Sequence, residues 1–498
     1  MKNLISKIKN YKPSKYICYL YFFVPIFICS ILYLDKEYDI WFLLNHGKYV
    51  LNNGFPTIEP FTMHSDFSFV MQQWLSSVIF YVVYSLLGQY GLRLILIIVC
   101  CLMSYFLYKL CMVITNNKFR LSIICSCITQ ILLLIFFIPR PWIFTFLILI
   151  IVLYIMELYY KNNNSKVLYF LPLLSLLQIN LQSSMWFMIF LFILPYLVYL
   201  FIDKIKNKKD NRIYKLLVII IFMFFIGFIN PYGIDNMLYV FNSYGDLYIN
   251  KTIKEMQPAI FRFGNTVPEV YGRLTFILFF LVIGIYVFYK KGKLELRHAF
   301  LFLGVSLLAF MHIRNLGLFI IGAIPFIAGY ISPSFKMLSK QEEKQKIEGK
   351  EKRHYICTIM FLVVYILIFI FNVNTSFTAT IEKGVDKILE KNNDEEVVIY
   401  ASYSNGSYLE YRGLRPYIDT RAEIFTKKIN KKEDIMKEYC LLINGRLDYN
   451  KFVDKYKFTH MIIMKKEAIY NEALKDKNYK IIYKDKKYIV LERNSVKS

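Results

Sequence analysis

Three carboxylates follow the first long apolar run of this chain. The segment YLDKEYDIWFLLNHGKYVLNNGFP (33–56) contains Asp35, Glu37 and Asp39, with His46 and a Gly-Phe-Pro turn behind them. Acidic side chains are costly beside hydrocarbon and persist there mostly for ion pairing, substrate handling or proton transfer. A carboxylate at a membrane surface can take the proton of a hydroxyl group that attacks an electrophile. This segment is therefore the first candidate for chemistry.

The composition indicates a multi-pass α-helical membrane protein. Of the 498 residues, 56% are hydrophobic and 18% are aromatic, which exceeds the usual apolar share of a soluble protein. The formal net charge of +25 would suit a nucleic-acid partner, but the Lys and Arg residues lie in short segments beside apolar runs. Basic residues in that position report the orientation of membrane insertion. We therefore predict a cell-membrane protein that binds no nucleic acid.

About eleven apolar runs are long enough to cross roughly 30 Å of hydrocarbon. They begin near Tyr16, Leu92, Leu121, Trp142, Val167, Met185, Tyr214, Leu274, His298, Leu316 and Tyr355. A twelfth run, Trp74 to Gly88, is borderline in length. All basic segments share the cytoplasmic side with the N-terminus only if this run does not span. We therefore predict an amphipathic or re-entrant helix there, within one large external loop over 35–90.

This topology brings the polar motifs to the outer face and leaves Lys and Arg on the cytoplasmic side. Five candidate substrate-binding residues lie at the predicted outer ends of spans, and a sixth, His46, lies in the first external loop; the five are Arg140, Asn180, Gln182, His312 and Arg314. An Arg can hold a phosphate group there, although snorkelling to the interface explains an isolated Arg almost as well. The side-chain amides of Asn180 and Gln182 could line a sugar site or could simply be exposed to water. We found no internal repeat of the kind that secondary transporters usually contain.

The tail of the chain has a different pattern. We predict a transmembrane domain over 1–374 and a small extracytoplasmic α/β domain over 375–498. Strands are predicted within 396–404, 460–466 and 480–493, and helices within 431–443 and 450–457. The stretches SNGS (404–407) and YKDKKY (483–488) suit turns in hairpins or in connections between a strand and a helix. Asp419 and Arg421 are expected to pair with each other or to hold the tail on the membrane part.

Two consecutive segments resemble a known membrane-enzyme class. DIWFLLNHGKYVLNNGFPTIEPFT (39–62) and QQWLSSVIFYVVYSLLGQYGLR (72–93) resemble the first external loop of GT-C-fold membrane glycosyltransferases. That class contains protein O-mannosyltransferases and bacterial aminoarabinose and lipid A transferases. The resemblance continues through RPWIFTFL (140–147), NPYG (230–233), EMQP (255–258), HIRNLGLFIIGAIP (312–325) and YIDTRAE (417–423). It covers nearly the whole chain and is strongest for bacterial multi-pass proteins of this kind.

The resemblance implies transfer of a sugar from a polyprenyl-phosphate donor to a cell-envelope acceptor at the outer face. Asp39 matches the catalytic carboxylate of the class, although Ile40 follows where the class often has Glu. A phosphate leaving group needs cationic stabilisation rather than a general acid, so one base suffices and no cofactor is implied. Inversion is expected for a single displacement. The acceptor is a glycan, a lipid or a protein.

Other interpretations of the same residues remain open. Asp39 could be an interfacial carboxylate that pairs with Lys36 or caps the following helix. His46 and His64 could be structural, since neither has a partner at a catalytic or zinc-like spacing, and no metal site is predicted. At the level of the whole protein, the alternatives are a non-enzymatic lipid-linked glycan carrier or flippase, or a protein that organises the envelope.

Overall fold

The structure is a computed structural model, and it describes most of the chain between residues 38 and 494. The described ranges are 38–133, 136–206, 210–243, 245–257, 295–334, 379–391 and 397–494. The predicted spans that begin near Tyr16, Leu274 and Tyr355 lie outside these ranges, as do Asp35, Lys36 and Glu37. The predicted domain boundary at residues 374 and 375 also lies outside them.

Helices dominate the described part before residue 335. They are α1 (Asp39–Asn53), α2 (Trp74–Leu87), α3 (Gln89–Ile114), α4 (Phe119–Leu133), α5 (Trp142–Asn162), α6 (Phe170–Leu181), α7 (Trp186–Lys206), α8 (Arg212–Ile226), α9 (Ile234–Ser243), α10 (Leu247–Thr252), α11 (Leu296–Met311) and α12 (Leu316–Ile331). Short 3₁₀ turns precede or connect several of them, at Ser165–Tyr169, Ser183–Met185, Lys254–Met256 and Ile313–Asn315.

Four stretches in the described part are long and apolar enough to cross a membrane. They contain α3, α5, α7 and α12, the last two together with their preceding 3₁₀ turns. Helices α4, α6, α8 and α11 are shorter and also coincide with predicted spans. The multi-pass character is thus confirmed, whereas the total of eleven stays a prediction. Helix α2 has 14 residues and rises about 21 Å, less than the roughly 30 Å of hydrocarbon, so our prediction that it does not span also stays open.

Hydrogen bonds between helix connections define two ends of the helical part. At one end, Trp74 Nε1 donates to Asn180 Oδ1 at 2.9 Å, and Ser183 N donates to Gln72 O at 2.9 Å. At the opposite end, Lys161 Nζ donates to Val113 O at 2.7 Å. We call the first the site end, because the connections at 138–141, 182–185 and 312–315 meet there.

A buried ion cluster joins three of the helices nearer the opposite end. Glu157 of α5 is fully buried and accepts hydrogen bonds from Arg297 Nε at 3.2 Å and from Tyr196 OH at 2.8 Å. His298 Nε2 lies 2.6 Å from the same carboxylate. Since a buried charge is tolerated when it is paired and hydrogen-bonded, this cluster fixes α5, α7 and α11 relative to one another.

The tail is a five-stranded mixed sheet with helices. The strands are β1 (Val398–Ala401), β2 (Arg415–Pro416), β3 (His460–Met464), β4 (Tyr479–Lys484) and β5 (Tyr488–Arg493), in the order β2-β1-β3-β5-β4. The helices are α13 (Glu382–Lys391), α14 (Tyr403–Tyr411), α15 (Lys427–Asn430), α16 (Ile435–Ile443), α17 (Tyr449–Tyr456) and α18 (Tyr470–Lys475). β1 is parallel to β2 and β3, whereas the β4–β5 hairpin is antiparallel. The predicted strands and helices of the tail all form.

The sequence SNGS is helical rather than a turn, contrary to our prediction. Its residues begin α14, directly after β1. The glycine serves close packing, since a Cβ atom on Gly406 would lie 1.9 Å from Ile418 O. Helix α14 also packs on α1, where the ring of Trp41 lies 4.9 Å from the rings of Tyr408 and Tyr411. The tail therefore sits directly on the helix that begins with Asp39.

Candidate active site

A cavity of about 200 Å³ lies between the site end of the helices and the tail. Among its lining residues are four from α1, namely Asp39, Phe42, Leu43 and His46. Their spacing of three and four residues places them on one face of the helix. The cavity is also lined by the helix connections, through Arg140, Gln182, Glu255 and Arg314, and by the tail, through Tyr403, Thr420, Arg421 and Glu423.

Helix α1 is held in place on the side away from the cavity. Its Gly47 packs so closely on α2 that a Cβ atom there would lie 2.2 Å from Ser77 O. The helix begins with Asp39, an acid in the first turn that suits the positive end of the helix dipole. It ends at Gly54, whose φ of 78° is in the region that glycine favours. The glycines thus fix the length and tilt of the helix that presents Asp39.

Asp39 forms an ion pair with Arg140, and the carboxylate of Glu255 contacts the same guanidinium group. Arg140 Nη2 lies 3.0 Å from Asp39 Oδ2, and Arg140 Nη1 donates to Glu255 Oε1 at 3.2 Å. The guanidinium also lies over the ring of Trp142, 4.8 Å from its centre. Arg140 and Asp39 keep 20% and 23% of their side chains exposed. The pair is therefore at the cavity wall, where a ligand can reach it.

The environment of Asp39 makes its carboxylate a stronger base than usual. Burial is the largest influence and raises its pKa, and the negative charge of Glu255 acts in the same direction. Arg140, a hydrogen bond with the side chain of Thr420 and the more distant Arg314 oppose this rise without cancelling it. A base with a raised pKa binds the proton of a hydroxyl group more readily.

Arg314 is another of the cations that line the cavity, besides Arg140 and Arg421. It lies on the 3₁₀ turn Ile313–Asn315, and its Nε atom is buried without a hydrogen-bond partner in the part of the chain that the structure describes. Its charge helps to hold the pKa of Glu255 below the usual value, although burial alone would raise that pKa. For Glu423, burial raises the pKa and Arg314 only moderates the rise. Arg314 thus faces carboxylates while keeping a donor for a ligand.

His312 supports this turn and does not line the cavity. Its Nδ1 atom lies 2.5 Å from Met256 O, and Ile313 N donates to Gln257 O at 2.9 Å. These contacts join the turn that carries Arg314 to the turn that carries Glu255. His312 is therefore placed to position the two charged residues.

A second ion cluster lies behind Asp39 and is almost completely buried. Arg421 Nη2 contacts Glu59 Oε1 at 3.0 Å and Glu410 Oε1 at 2.8 Å, and it also pairs with Asp419. Burial raises the pKa of Glu410 well above its usual value, and the neighbouring Asp419 adds to the rise although Arg421 opposes it. Burial also disfavours the ionised form of Asp419, but Arg421 keeps the pKa of Asp419 below its usual value. The cluster ties the loop that carries Glu59 to the tail.

His46 takes part in both the cavity and this cluster. Its Nε2 atom lies 3.1 Å from Arg421 Nη1 and must accept that hydrogen bond, because a guanidinium only donates. Burial, followed by the charge of Arg421, lowers the pKa of His46 well below its usual value. The imidazole is therefore neutral and its proton is on Nδ1, which has no hydrogen-bond partner among the described residues.

The structure brings most of the candidate residues from the sequence together. Asp39, His46, Arg140, Gln182 and Arg314 all line the cavity. Gln182 also accepts a hydrogen bond from Thr145 Oγ1 at 2.9 Å. Asn180 is instead occupied by Trp74 and by Ile229 O, to which its Nδ2 donates at 3.0 Å, and it does not line the cavity.

Sequence reasoning assigned no role to several polar residues of the cavity, among them Glu255, Thr420 and Glu423. Glu255 lies in EMQP, and Thr420 and Glu423 both lie in YIDTRAE, two motifs that carried the family resemblance. Searched over the described ranges, the structure contains no group of three or more His, Cys, Asp or Glu side chains arranged to hold a metal ion.

Comparison with known proteins finds solved structures with a similar fold but no relative by sequence. No protein-family model matches the chain, and no curated protein matches it in sequence. Among solved structures, it is similar to the oligosaccharyltransferase AglB from Archaeoglobus fulgidus in complex with an inhibitory peptide and a dolichol-phosphate. That match has a TM-score of 0.58 at 10% identity and covers 90% of this chain and 69% of AglB. The apo form of the A. fulgidus oligosaccharyltransferase matches with a TM-score of 0.57 at 12% identity, over the same shares of the two chains.

The chain is also similar to ArnT from Cupriavidus metallidurans, solved bound to undecaprenyl phosphate. The TM-score is 0.52 at 10% identity, and the match covers 96% of this chain and 98% of ArnT. The structural similarity to GT-C membrane glycosyltransferases that the sequence motifs predicted is therefore confirmed over most of the chain. At such low identity, the similarity establishes the fold alone.

Proposed function

We propose that this protein transfers a sugar from a polyprenyl-phosphate donor to a cell-envelope acceptor at the outer face of the membrane. The observation that carries the proposal is Arg314, a cation with a buried and unpartnered Nε donor in the described part, at the cavity that also holds the Asp39–Arg140 pair. A phosphate needs such donors, and Arg offers them as a planar fork. The lipid phosphates bound to AglB and ArnT support the same ligand class.

The proposed reaction is a single displacement with Asp39 as general base. The acceptor hydroxyl oxygen attacks the anomeric carbon as its proton passes to the Asp39 carboxylate, and a new glycosidic bond forms. The bond between the anomeric carbon and the phosphate oxygen breaks at the same time, and its electron pair leaves on the polyprenyl phosphate. Attack opposite the leaving group inverts the anomeric configuration.

The charges of the cavity suit a leaving phosphate. Arg140 is shared between Asp39 and Glu255, so it is already partly neutralised, whereas Arg314 is the cation with a spare donor. Negative charge that develops on the phosphate would draw both guanidinium groups toward it. As Arg140 turns toward phosphate, its hold on Asp39 weakens, and the carboxylate becomes a better base. Donor binding would thereby prepare the base.

Binding of undecaprenyl phosphate to the purified full-length protein tests the ligand class. We expect wild-type protein and Arg415→Ala to bind it alike, because Arg415 is exposed and does not line the cavity. Arg140→Ala and Arg314→Ala together should abolish binding. Equal binding by all of these proteins would contradict the proposed phosphate site.

Glycan and lipid analysis of cells tests the reaction itself. Cells that produce Asp39→Asn should lose the modified envelope component made by wild-type cells, with a fall in transfer of roughly a hundredfold or more. Asp235→Asn is the matched control, since Asp235 is an exposed acid on α9 that does not line the cavity. Retained lipid-phosphate binding with an unchanged envelope in all strains, including one without the protein, would favour the non-enzymatic carrier or flippase instead.

A further inference from the structure

We infer that helix α9 and the lysine-rich segment 427–432 of the tail together form a surface that binds an anionic phospholipid leaflet. The leaflet is the one at the site end of the helices. The apolar side of α9 lies at the boundary between headgroups and acyl chains, and the lysines contact the lipid phosphates. This inference goes beyond the proposed function and does not depend on it, because its partner is bulk membrane lipid.

Helix α9 lies across the ends of other apolar helices. It begins soon after α8, which ends at Ile226. Asn236 Nδ2 donates to Ile179 O, near the end of α6, at 3.2 Å. The ring of Phe241 lies 4.8 Å from the ring of Phe187 in the first turn of α7. Because the contacts near both ends of α9 are with the termini of predicted spans, the helix lies along the membrane surface and does not cross it.

The exposed and buried residues of α9 divide its circumference into three sectors. Ile234, Leu238 and Phe241 are 55%, 41% and 58% exposed, and a rotation of about 100° per residue places them within one apolar arc of about 60°. The exposed polar residues Asp235 and Asn242 lie together beside this arc. A helix with an apolar and a polar side is typical of the boundary between lipid and water. The third sector is buried in the protein and contains Asn236, Met237 and Tyr239.

The apolar arc of α9 continues an exposed apolar surface at the end of α8. Phe225 is exposed within α8, and Phe228 and Ile229 are exposed directly after it. Since α8 coincides with a predicted span, this surface faces acyl chains. Exposed apolar patches of this kind mark contacts with a protein or with a membrane. A leaflet that covers the end of α8 also covers the apolar arc, so lipid is the occupant that the geometry favours.

The buried side of α9 faces the candidate active site. Tyr239 is buried and lines the cavity together with Arg140 and Glu255. Helix α9 therefore separates the cavity from the leaflet. Its attachment to lipid fixes one wall of the cavity relative to the membrane.

The tail adds a basic edge to the apolar arc. Four of the six residues in the segment 427–432 are lysines, and all four are exposed. Lys428 Nζ donates to Phe241 O at 2.9 Å, so the segment meets α9 in its last turn, where a cation suits the helix dipole. Lys431 Nζ donates to Lys428 O at 2.8 Å, which keeps a second cation at the same place. Lysines beside an apolar helix face are typical of binding to anionic lipids.

The acids near this segment already have partners within the protein. Glu433 pairs with Lys455, with 3.4 Å between the nitrogen and oxygen atoms. Asp434 and Asp246 each accept a backbone N–H hydrogen bond at the start of a helix. Lipid phosphates are therefore the anions that the exposed lysines can bind. Within the described ranges, three of these lysines form no ion pair, namely Lys427, Lys431 and Lys432.

Photo-crosslinking to lipid tests the position of α9. The full-length protein with p-benzoylphenylalanine in place of Leu238 is reconstituted in nanodiscs of phosphatidylcholine and phosphatidylglycerol, and lipid adducts are quantified by mass spectrometry after irradiation. The same group in place of Asn242 is the matched control on the polar side of α9. In place of Leu94, which is exposed on α3, it is the positive control. We expect the adduct yield at position 238 to approach that at 94 and to exceed that at 242 roughly fivefold.

Acylation of lysines by a water-soluble ester tests the contact with headgroups, because only the neutral amine reacts. A surface potential of about −30 mV raises the local proton concentration about threefold. Lys431 and Lys432 should therefore react about threefold more slowly in nanodiscs that contain phosphatidylglycerol than in phosphatidylcholine alone, and high salt should remove the difference.

Lys477 is the internal control for acylation. It is exposed and precedes β4, whose start lies at the sheet edge opposite to the end of β1. Tyr403 follows the end of β1 and lines the cavity, so Lys477 lies on the side of the tail away from the cavity. Its rate of acylation should be the same in both kinds of nanodisc.

The two measurements together decide the inference. Equal adduct yields at positions 238 and 242 would place the apolar arc in water, ready for a protein partner, and would overturn it. Unchanged acylation of Lys431 and Lys432 would also overturn it, because the lysines would then not meet the headgroups. Should the protein substituted at Leu238 melt at a lower temperature than wild type, Ile234 provides a second position in the same arc. Neither measurement uses a sugar or a polyprenyl phosphate, so the proposed function is tested separately.

Discussion

At the scale of single residues, Asp39 is defined by its neighbours more than by its position in the sequence. The sequence indicated an acid beside the membrane and left open whether Lys36 neutralises it. Among the described residues it pairs with Arg140, a residue 101 positions away that lies just before the predicted span beginning near Trp142. Glu255, Thr420 and Glu423 were not predictable as neighbours, because Glu255 comes from a helix connection and Thr420 and Glu423 come from the tail, both through long-range packing.

The pH dependence of sugar transfer should reflect the raised pKa of Asp39. The base is active when ionised, so the rate should fall as the pH is lowered through that pKa. Because burial raises the pKa, the fall should begin at a higher pH than an ordinary Asp would give. Glu255→Gln removes a negative charge that contributes to the rise, so it should move the acid limb to lower pH. An acid limb at the position of a free carboxyl group would contradict the buried base.

Substitutions of Arg314 should show whether phosphate binding depends on the charge alone or also on the planar donor geometry of the guanidinium. Arg314→Ala should weaken binding of undecaprenyl phosphate by roughly tenfold to a hundredfold, since a hydrogen bond to a charged group contributes about 1.5–3 kcal/mol. Arg314→Lys should lie between wild type and Arg314→Ala, because Lys keeps the charge and loses the planar fork. Isothermal titration of the detergent-purified proteins measures the series, with Arg415→Ala as the control. Identical affinities would remove Arg314 from the ligand site.

At the scale of elements, hydropathy and periodicity predicted which segments form helices and strands. The eight apolar helices and strands β1, β3, β4 and β5 follow from composition that a sequence window detects. Strand β2 and helices α9, α10, α13, α15 and α18 were not predicted. The segment SNGS lies in α14, where Gly406 allows a close approach to Ile418. A window of local sequence cannot register that contact, and therefore SNGS resembled a turn. For the same reason, the packing of α1 on α2 through Gly47 was not foreseen.

The α1–α2 contact gives a prediction for the element that carries Asp39. Gly47→Ala places a methyl group against Ser77 O and should force α1 away from α2, at a cost of about 1–3 kcal/mol. The melting temperature and the undecaprenyl-phosphate affinity should both fall, because Asp39 and His46 shift with the helix. Gly304→Ala is the control, since Gly304 lies within α11 and no atom lies within 4 Å of its added Cβ. Loss of stability in Gly304→Ala alone would refute this packing argument.

At the scale of the whole molecule, we could predict from the sequence which end of the helical part carries the site. Counting spans from basic segments placed Asp39, Arg140, Gln182 and Arg314 on one face, and in the structure these four line one cavity. We could not predict which tail residues line the cavity, because no pattern in residues 375–498 indicates which surface of the tail packs on the helices. That surface is fixed by the ion pair of Arg421 with Glu59 and by the contact of Trp41 with Tyr408.

Membrane topology provides the last prediction, and it depends on α2. Ser68 and Asn162 are exposed, and α2, α3, α4 and α5 lie between them. If α2 does not span, three crossings separate the two positions and they lie on opposite faces; if α2 spans, four crossings return them to the same face. We expect a membrane-impermeant maleimide to label Ser68→Cys in intact cells, and to label Asn162→Cys only after the membrane is opened. The unsubstituted protein is the control for its native cysteines, most of which lie in apolar runs. Labelling of both positions from outside would restore Trp74 to Gly88 as a span and overturn the eleven-span topology.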